Sequence, residues 1–310
     1  VRLIRGHPRE TPLFLLLAYQ AVHFPLQAPD EYLAREECAN LTVAEEVNVH
    51  MESRRKVCAM LLQVDDGVRA LQEAIVAAGR WEDTVFVFLS DNGGDPQWGS
   101  LNLPLRGQKD QAWEGGLRVP CFIAGGFLER ALALAEQTPF PYYGLVHVTD
   151  LFPTLLTAAG VPASLDVLDL DGRDQWSSLV AGEASPRTDA LLNMASDWFG
   201  HGGAFRMGDY KLIVESALAT RTEPLSPHEV VQLTAKQLAA LETLPSSETV
   251  NTLTDSIMGT EHHKYLFDMR SNPFEKVSKD CDDPAACSNL FYDVQYTAVR
   301  KEIEALWVNW

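Results

Sequence analysis

The sequence predicts an α/β fold, a mainly parallel sheet sandwiched by helices, followed by a smaller α+β part built on antiparallel strands. Three observations carry this expectation. TPLFLLLAYQ (11–20), TVFVFLS (84–90) and RVPCFIAG (118–125) are continuous apolar runs of the kind buried on both faces of a parallel sheet. Between the first two, Val57, Leu61, Val64, Val68, Leu71 and Ile75 recur at spacings of four and three, which predicts one long amphipathic helix over about 43–79. Beyond residue 184 the pattern changes to short strands, ALLNMA, AFRMGDYKLIV and HKYLFDM, with Gly208-Asp209 as a hairpin turn.

The elements follow in order. VTDLFPTLLTAAG (148–160) reads as a helix capped by Thr149, with Asp150 in its first turn and Gly160 at its end. A final helix is expected over Val294 to Val308. The domain boundary is placed between 184 and 185, giving 1–184 and 185–310, with a polar insertion at 215–262 whose Ser226-Pro227-His228-Glu229 is a capping box.

Composition limits the function. Forty-three acidic against twenty-five basic residues give a formal charge of −18 over 310 residues, which argues against a nucleic-acid partner and requires a local positive site for any anionic substrate. The apolar run Leu13 to Ala18 is far shorter than the roughly 20 residues of a membrane span. The five cysteines contain no C-x-x-C pair, and Cys281 and Cys287 bracket a loop short enough for a local disulfide. Asn40-Leu41-Thr42 is a glycosylation sequon, meaningful in a secreted protein. These features lean towards an oxidising compartment.

Candidate chemistry gathers where the apolar runs stop. Asp91 and Asn92, at the end of VFVFLSDNGG, offer a carboxylate and an amide carbonyl side by side, donors suited to a hard cation, although Asp, Asn and Gly are also common turn residues. His23 lies just past the first apolar run, and Lys109 stands in LRGQKDQAWEGGLRVP. Each taken alone reads as a strand-end histidine or a solvated lysine. Together, three segments bordering strands each bring a polar group to one presumed face. Trp98 and Trp113 either wall that face or pack the core.

LAYQAVHFPLQAP, FLSDNGG, PLRGQKDQAWEGGLRVP, VTDLFPTLL, LDGRDQW and FRMGDYKLI, in this order, resemble the second half of a type I sulfatase of the alkaline-phosphatase-like superfamily. The chain is most similar to the arylsulfatase B-like group, which includes N-acetylgalactosamine-4-sulfatase. The resemblance implies a sulfuric ester hydrolase acting on a sulfated small molecule or sulfated glycan in a secreted, lysosomal or extracellular setting. It implies Asp91 and Asn92 as ligands of one calcium ion, Lys109 as a ligand of a sulfate oxygen, and His23 as a partner of the ester oxygen that assists its departure.

One departure stands out. The family's formylglycine nucleophile arises from the Cys or Ser of C/S-x-P/A-x-R, and the residues two places after the cysteines here are Asn40, Met60, Ile123, Asp283 and Asn289. The acidic pair that completes the family's metal shell is also missing, since Asp65-Asp66 falls in the long helix and Asp282-Asp283 in the cysteine loop. The expectation is therefore a C-terminal fragment of a sulfatase, inactive by itself, whose nucleophile lies upstream. The alternatives are a non-catalytic sulfatase-like binding or structural module, or a phosphonate or phosphodiester hydrolase of the same superfamily.

Overall fold

The computed structural model of the protein describes residues 1–42, 50–161, 170–195, 202–216, 262–276 and 289–309. Its helices are α1 (Arg2–Gly6), α2 (Asp30–Leu33), α3 (Glu36–Ala39), α4 (Met51–Ala77), α5 (Glu114–Leu117), α6 (Gly126–Leu134), α7 (Leu151–Ala158), α8 (Trp176–Ala181) and α9 (Thr297–Asn309). The strands are β1 (Phe86–Leu89), β2 (Cys121–Ala124), β3 (Asp189–Ala195), β4 (Gly202–Met207), β5 (Tyr210–Ser216) and β6 (His262–Asp268). Most of the 215–262 insertion, with its expected capping box, and the Cys281–Cys287 loop lie outside the described residues. The chain forms two compact units: Val1–Gln20, Gln63–Ser90 and Pro120–Ala190 make the first, and Ala21–Leu62, Asp91–Val119 and Leu191–Trp310 the second.

In the first unit β1 and β2 form where two of the apolar runs predict strands, but they pair antiparallel, Phe86 opposite Ala124 and Leu89 opposite Cys121. Parallel pairing needs a crossover, usually through a helix, and between these strands there are only a 3-10 turn at Pro96–Trp98 and the four-residue α5; the chain returns in the opposite sense. The run 11–20 forms no strand among the described residues, and Phe14 and Leu16 are 82% and 81% exposed. A strand is stable only with a hydrogen-bonded neighbour.

The second half of this unit is fixed by one buried acid. His147, not Thr149, caps the turn before α7, and the Asp150 carboxylate accepts from the His147 N–H at 2.8 Å. Instead of merely facing the helix dipole, Asp150 is fully buried and meets the Arg187 guanidinium at 2.5 to 3.0 Å. Arg187 also donates to the carbonyls of Asp171 and Asp189, at 2.7 and 3.0 Å. Burial alone would raise the Asp150 carboxyl, but the hydrogen bonds from Arg187, the Arg173 N–H and the His147 N–H hold it below its ordinary range.

The second unit is built on a sheet of order β3-β4-β5-β6. Gly208, at φ 54°, turns β4 into β5 with Met207 opposite Tyr210, the expected hairpin. Alternate residues then face opposite ways. Phe205, Leu212 and Leu266 pack with Phe291 and with Ile303 of α9, the predicted final helix. Ala204, Ile213 and Phe267 pack against Trp113, which is completely buried. Trp113 is therefore core, and the sheet face it covers is what supports the loop bearing Lys109.

The long helix is observed as α4. Its buried positions include Val57, Met60, Val64 and Ala74, whereas Leu61 is 52% exposed, so the seam is rotated slightly from the predicted stripe. Cys58 on this helix is disulfide-bonded to Cys38 of α3, leaving Cys121 as the exposed free thiol among the described residues.

Candidate functional site

The residues of interest in the second unit sit on two loops that cross at backbone contact. Gly93 N–H donates to the Gly116 carbonyl at 2.9 Å, and a Cβ on Gly93 would lie 1.7 Å from the Gly115 carbonyl oxygen. Only glycine allows that approach. The Lys109 N–H donates to the Gly94 carbonyl at 3.2 Å. The segment Asp91–Gly94 and the loop of Lys109 are thus one hydrogen-bonded structure.

Asn102 strengthens the joint. Its side-chain oxygen accepts from Gly94 N–H at 2.7 Å, while its amide donates to the carbonyls of Gly94 and Gly107 at 2.8 and 3.1 Å. Nothing in the sequence distinguishes Asn102 from an ordinary loop residue. Its role arises from pairing across the crossing.

His23 and Lys109, 86 positions apart, meet directly: Nζ is 3.3 Å from Nε2 of the imidazole. Nδ1 of His23 lies 2.7 Å from the Phe24 carbonyl, which can only accept. The network therefore assigns the hydrogen to Nδ1 and makes Nε2 the acceptor for the ammonium. Phe24 in turn packs against Trp98, with ring centroids 4.4 Å apart and planes tilted by 39°. Both rings are exposed, in contrast to Trp113.

Asp91 and Asn92 lie just past the end of β1 in sequence. The Asp91 carboxylate accepts from the Asn92 N–H at 2.9 Å, and the Asn92 amide donates to the Gly93 carbonyl at 2.8 Å. Two hard oxygen donors fit part of a calcium shell, which takes six to eight. Among the described residues no group of three or more His, Cys, Asp or Glu side chains gathers to complete it.

Asp95 is a further acid of this region, not singled out from sequence. It caps the turn at Pro96–Trp98 by accepting from the Gln97 N–H at 2.9 Å. Burial pushes its carboxyl above the ordinary range; the Gln97 N–H opposes that, Asp110 adds to it, and the Lys109 ammonium again opposes it.

A sequence model of the Sulfatase family matches residues 1–161. Arylsulfatase J of Mus musculus is 35% identical over 193 residues, 62% of this chain and 29% of its own length. N-acetylgalactosamine-6-sulfatase of Mus musculus is 26% identical over 191 residues, 58% of this chain and 31% of its own. The crystal structure of Ps i-CgsB in complex with k-i-k-neocarrahexaose superposes with a TM-score of 0.65 at 23% identity, covering 100% of this chain and 51% of that one. The chain spans about a third of the length of these curated relatives. The family match over residues 1–161, half of the chain, places it in the Sulfatase family.

Proposed function

We propose that this chain carries the sulfate-gripping side of the active site of a sulfuric ester hydrolase. The observation that supports this most directly is the contact of Lys109 with His23 at 3.3 Å, on a loop hydrogen-bonded to the Asp91–Gly94 segment. A sulfate ester carries its negative charge on the non-bridging oxygens, and cleavage moves charge onto the bridging oxygen. Lys109 supplies an ammonium for the first, and His23 Nε2, which accepts from that ammonium in the structure, would deliver a proton to the second once the ring is protonated there as well. Asp91 and Asn92 would hold a calcium ion, which supplies fixed positive charge against the sulfate group when bound. The remaining ligands and the formylglycine nucleophile are assigned to a segment outside residues 1–310.

The substrate class we favour is a sulfated glycan over a simple aryl sulfate, because Phe24, next to His23 in the chain, packs against Trp98 and both residues are exposed. Aromatic faces suit the apolar C–H faces of a sugar ring. The relative crystallised with a neocarrahexaose is consistent with that preference. A secreted or lysosomal setting is supported by the Cys38–Cys58 disulfide and by the exposure of Asn40 in its sequon. No helix among the described residues is long and apolar enough to cross a membrane.

The test compares residues 1–310 with a polypeptide extended upstream to include a C/S-x-P/A-x-R segment, both with calcium. The extended protein should hydrolyse an aryl sulfate and the shorter chain should not. An extended protein that binds a sulfated oligosaccharide without hydrolysing it would identify a binding module instead. Preference for a phosphonate ester would identify the other hydrolase class.

A further inference from the structure

The loop that presents Lys109 is short and closed. Gly115 N–H donates to the Arg106 carbonyl at 2.6 Å, so residues 106 to 115 begin and end at the same place. Gln111 N–H donates to the Gln108 carbonyl at 3.1 Å and folds the tip, where Lys109 and Asp110 stand. What holds the base is a buried residue far away in sequence.

Glu275 is completely buried and adopts φ 55°, a left-handed conformation unusual for a residue with a side chain. Its carbonyl accepts from the Arg106 guanidinium at 2.9 Å. Its carboxylate accepts from the Glu114 N–H at 2.6 Å. The same carboxylate lies 2.7 Å from Nζ of Lys211, itself fully buried, and that ammonium donates to the Glu114 carboxylate at 2.8 Å. Arg106 also lies over the Trp113 ring at 4.3 Å. One residue therefore engages both feet of the loop, through its main chain on one side and its side chain on the other.

We propose that Glu275 is a positioning residue for Lys109: by gripping Arg106 and Glu114 together, it holds the closed loop in the one register that brings the ammonium to His23. Its strained backbone fits this role, since such a conformation persists where surrounding contacts over-determine it. Lys211 is the counter-charge that lets two carboxylates share the buried base. The role rests on the reading of Lys109 as a sulfate ligand, but its test does not need turnover.

The test is a nitrogen NMR measurement of the His23 imidazole in residues 1–310 with labelled histidine, the resonance being assigned by His23→Gln. Lys109→Met removes the donor to Nε2 and sets the reference shift for a lost contact. Glu275→Ala should move the Nε2 resonance towards that reference. Glu275→Gln, which keeps an acceptor for the Glu114 N–H, should move it less. Thr154→Val, which disturbs the separate Asp150 cluster, should lower thermal stability while leaving His23 where it was. Should Glu275→Ala fail to fold, Glu275→Asp, with its charge kept and its reach shortened, serves in its place. An unmoved His23 resonance in the Glu275 variants would overturn the proposal. So would an unmoved resonance in Lys109→Met, because the loop would then not deliver Lys109 to His23.

Discussion

Nζ of Lys109 lies 3.3 Å from Nε2 of His23, whose other ring nitrogen is committed to the Phe24 carbonyl at 2.7 Å. The imidazole is thereby oriented at both ends, and on the proposed reading an ester at Nε2 would meet an ammonium and an imidazole side by side.

The roles of these groups separate by leaving group. In an enzyme carrying its nucleophile, His23→Ala should lower kcat/KM on a sugar sulfate by about 10²- to 10⁴-fold, the usual worth of a positioned proton donor. A nitrophenolate departs without a proton, so a nitrophenyl sulfate should be largely spared. Asp91→Ala should instead weaken calcium binding, read by titration calorimetry, and depress both substrates alike. Equal losses on both substrates for His23→Ala would assign it to binding.

Trp98→Ala tests the ring pair. Loss of one stacking face is expected to raise KM for a sulfated oligosaccharide several-fold with little change in kcat, and to leave a small aryl sulfate unaffected. An unchanged KM for the oligosaccharide would place Phe24 and Trp98 outside the substrate's path.

Asp95 gives a pH signature. Because burial raises its folded-state carboxyl, its ionisation opposes folding: the stability it contributes is full below the unfolded value near 3.9 and is lost as pH rises through the folded one. Asp95→Asn keeps an acceptor for the Gln97 N–H without the charge. Its urea midpoint should equal that of the wild type at about pH 3 and exceed it at pH 7. A gap of the same size at both values would contradict the assignment.

Asp150 has the opposite sign. Its carboxyl is held low, so its contribution is full above the ordinary carboxylate range and disappears as pH falls through the depressed folded value. Arg187→Met leaves that carboxylate buried without its partner and should cost about 3–5 kcal/mol in urea unfolding at pH 7. The penalty should shrink in acid, where a neutral carboxyl needs no guanidinium.

Local features were legible in the sequence to the extent that local physics decides them. The apolar runs give β1 and β2, the three-and-four spacing gives α4, and Gly208-Asp209 gives the hairpin. Pairing direction was not legible, because apolar character says that a strand is buried without saying which neighbour covers it; the exposed run at 11–20 illustrates the gap. Thr149 reads as a cap because hydroxyls usually do so, but Arg187, 37 positions away, draws Asp150 into the interior and leaves His147 at the cap. For the candidate site, His23, Lys109, Asp91 and Asn92 stand out by residue type beside the apolar runs. Asn102 and Glu275 do not, since their partners are reached only after folding, and Asp95 reads as a local turn residue whose burial the sequence does not announce.

The crossing of Gly93 with Gly115 bears on how such a chain is recognised at all. With room for no Cβ at residue 93, any sequence that retains this crossing must retain that glycine, whatever reaction it performs. The double glycines of SDNGG and WEGG therefore record a steric contract between two loops, independent of the chemistry proposed for the four polar side chains. A relative that kept this crossing would keep the glycine whether or not its residues at 23, 91, 92 and 109 had the roles proposed for them here.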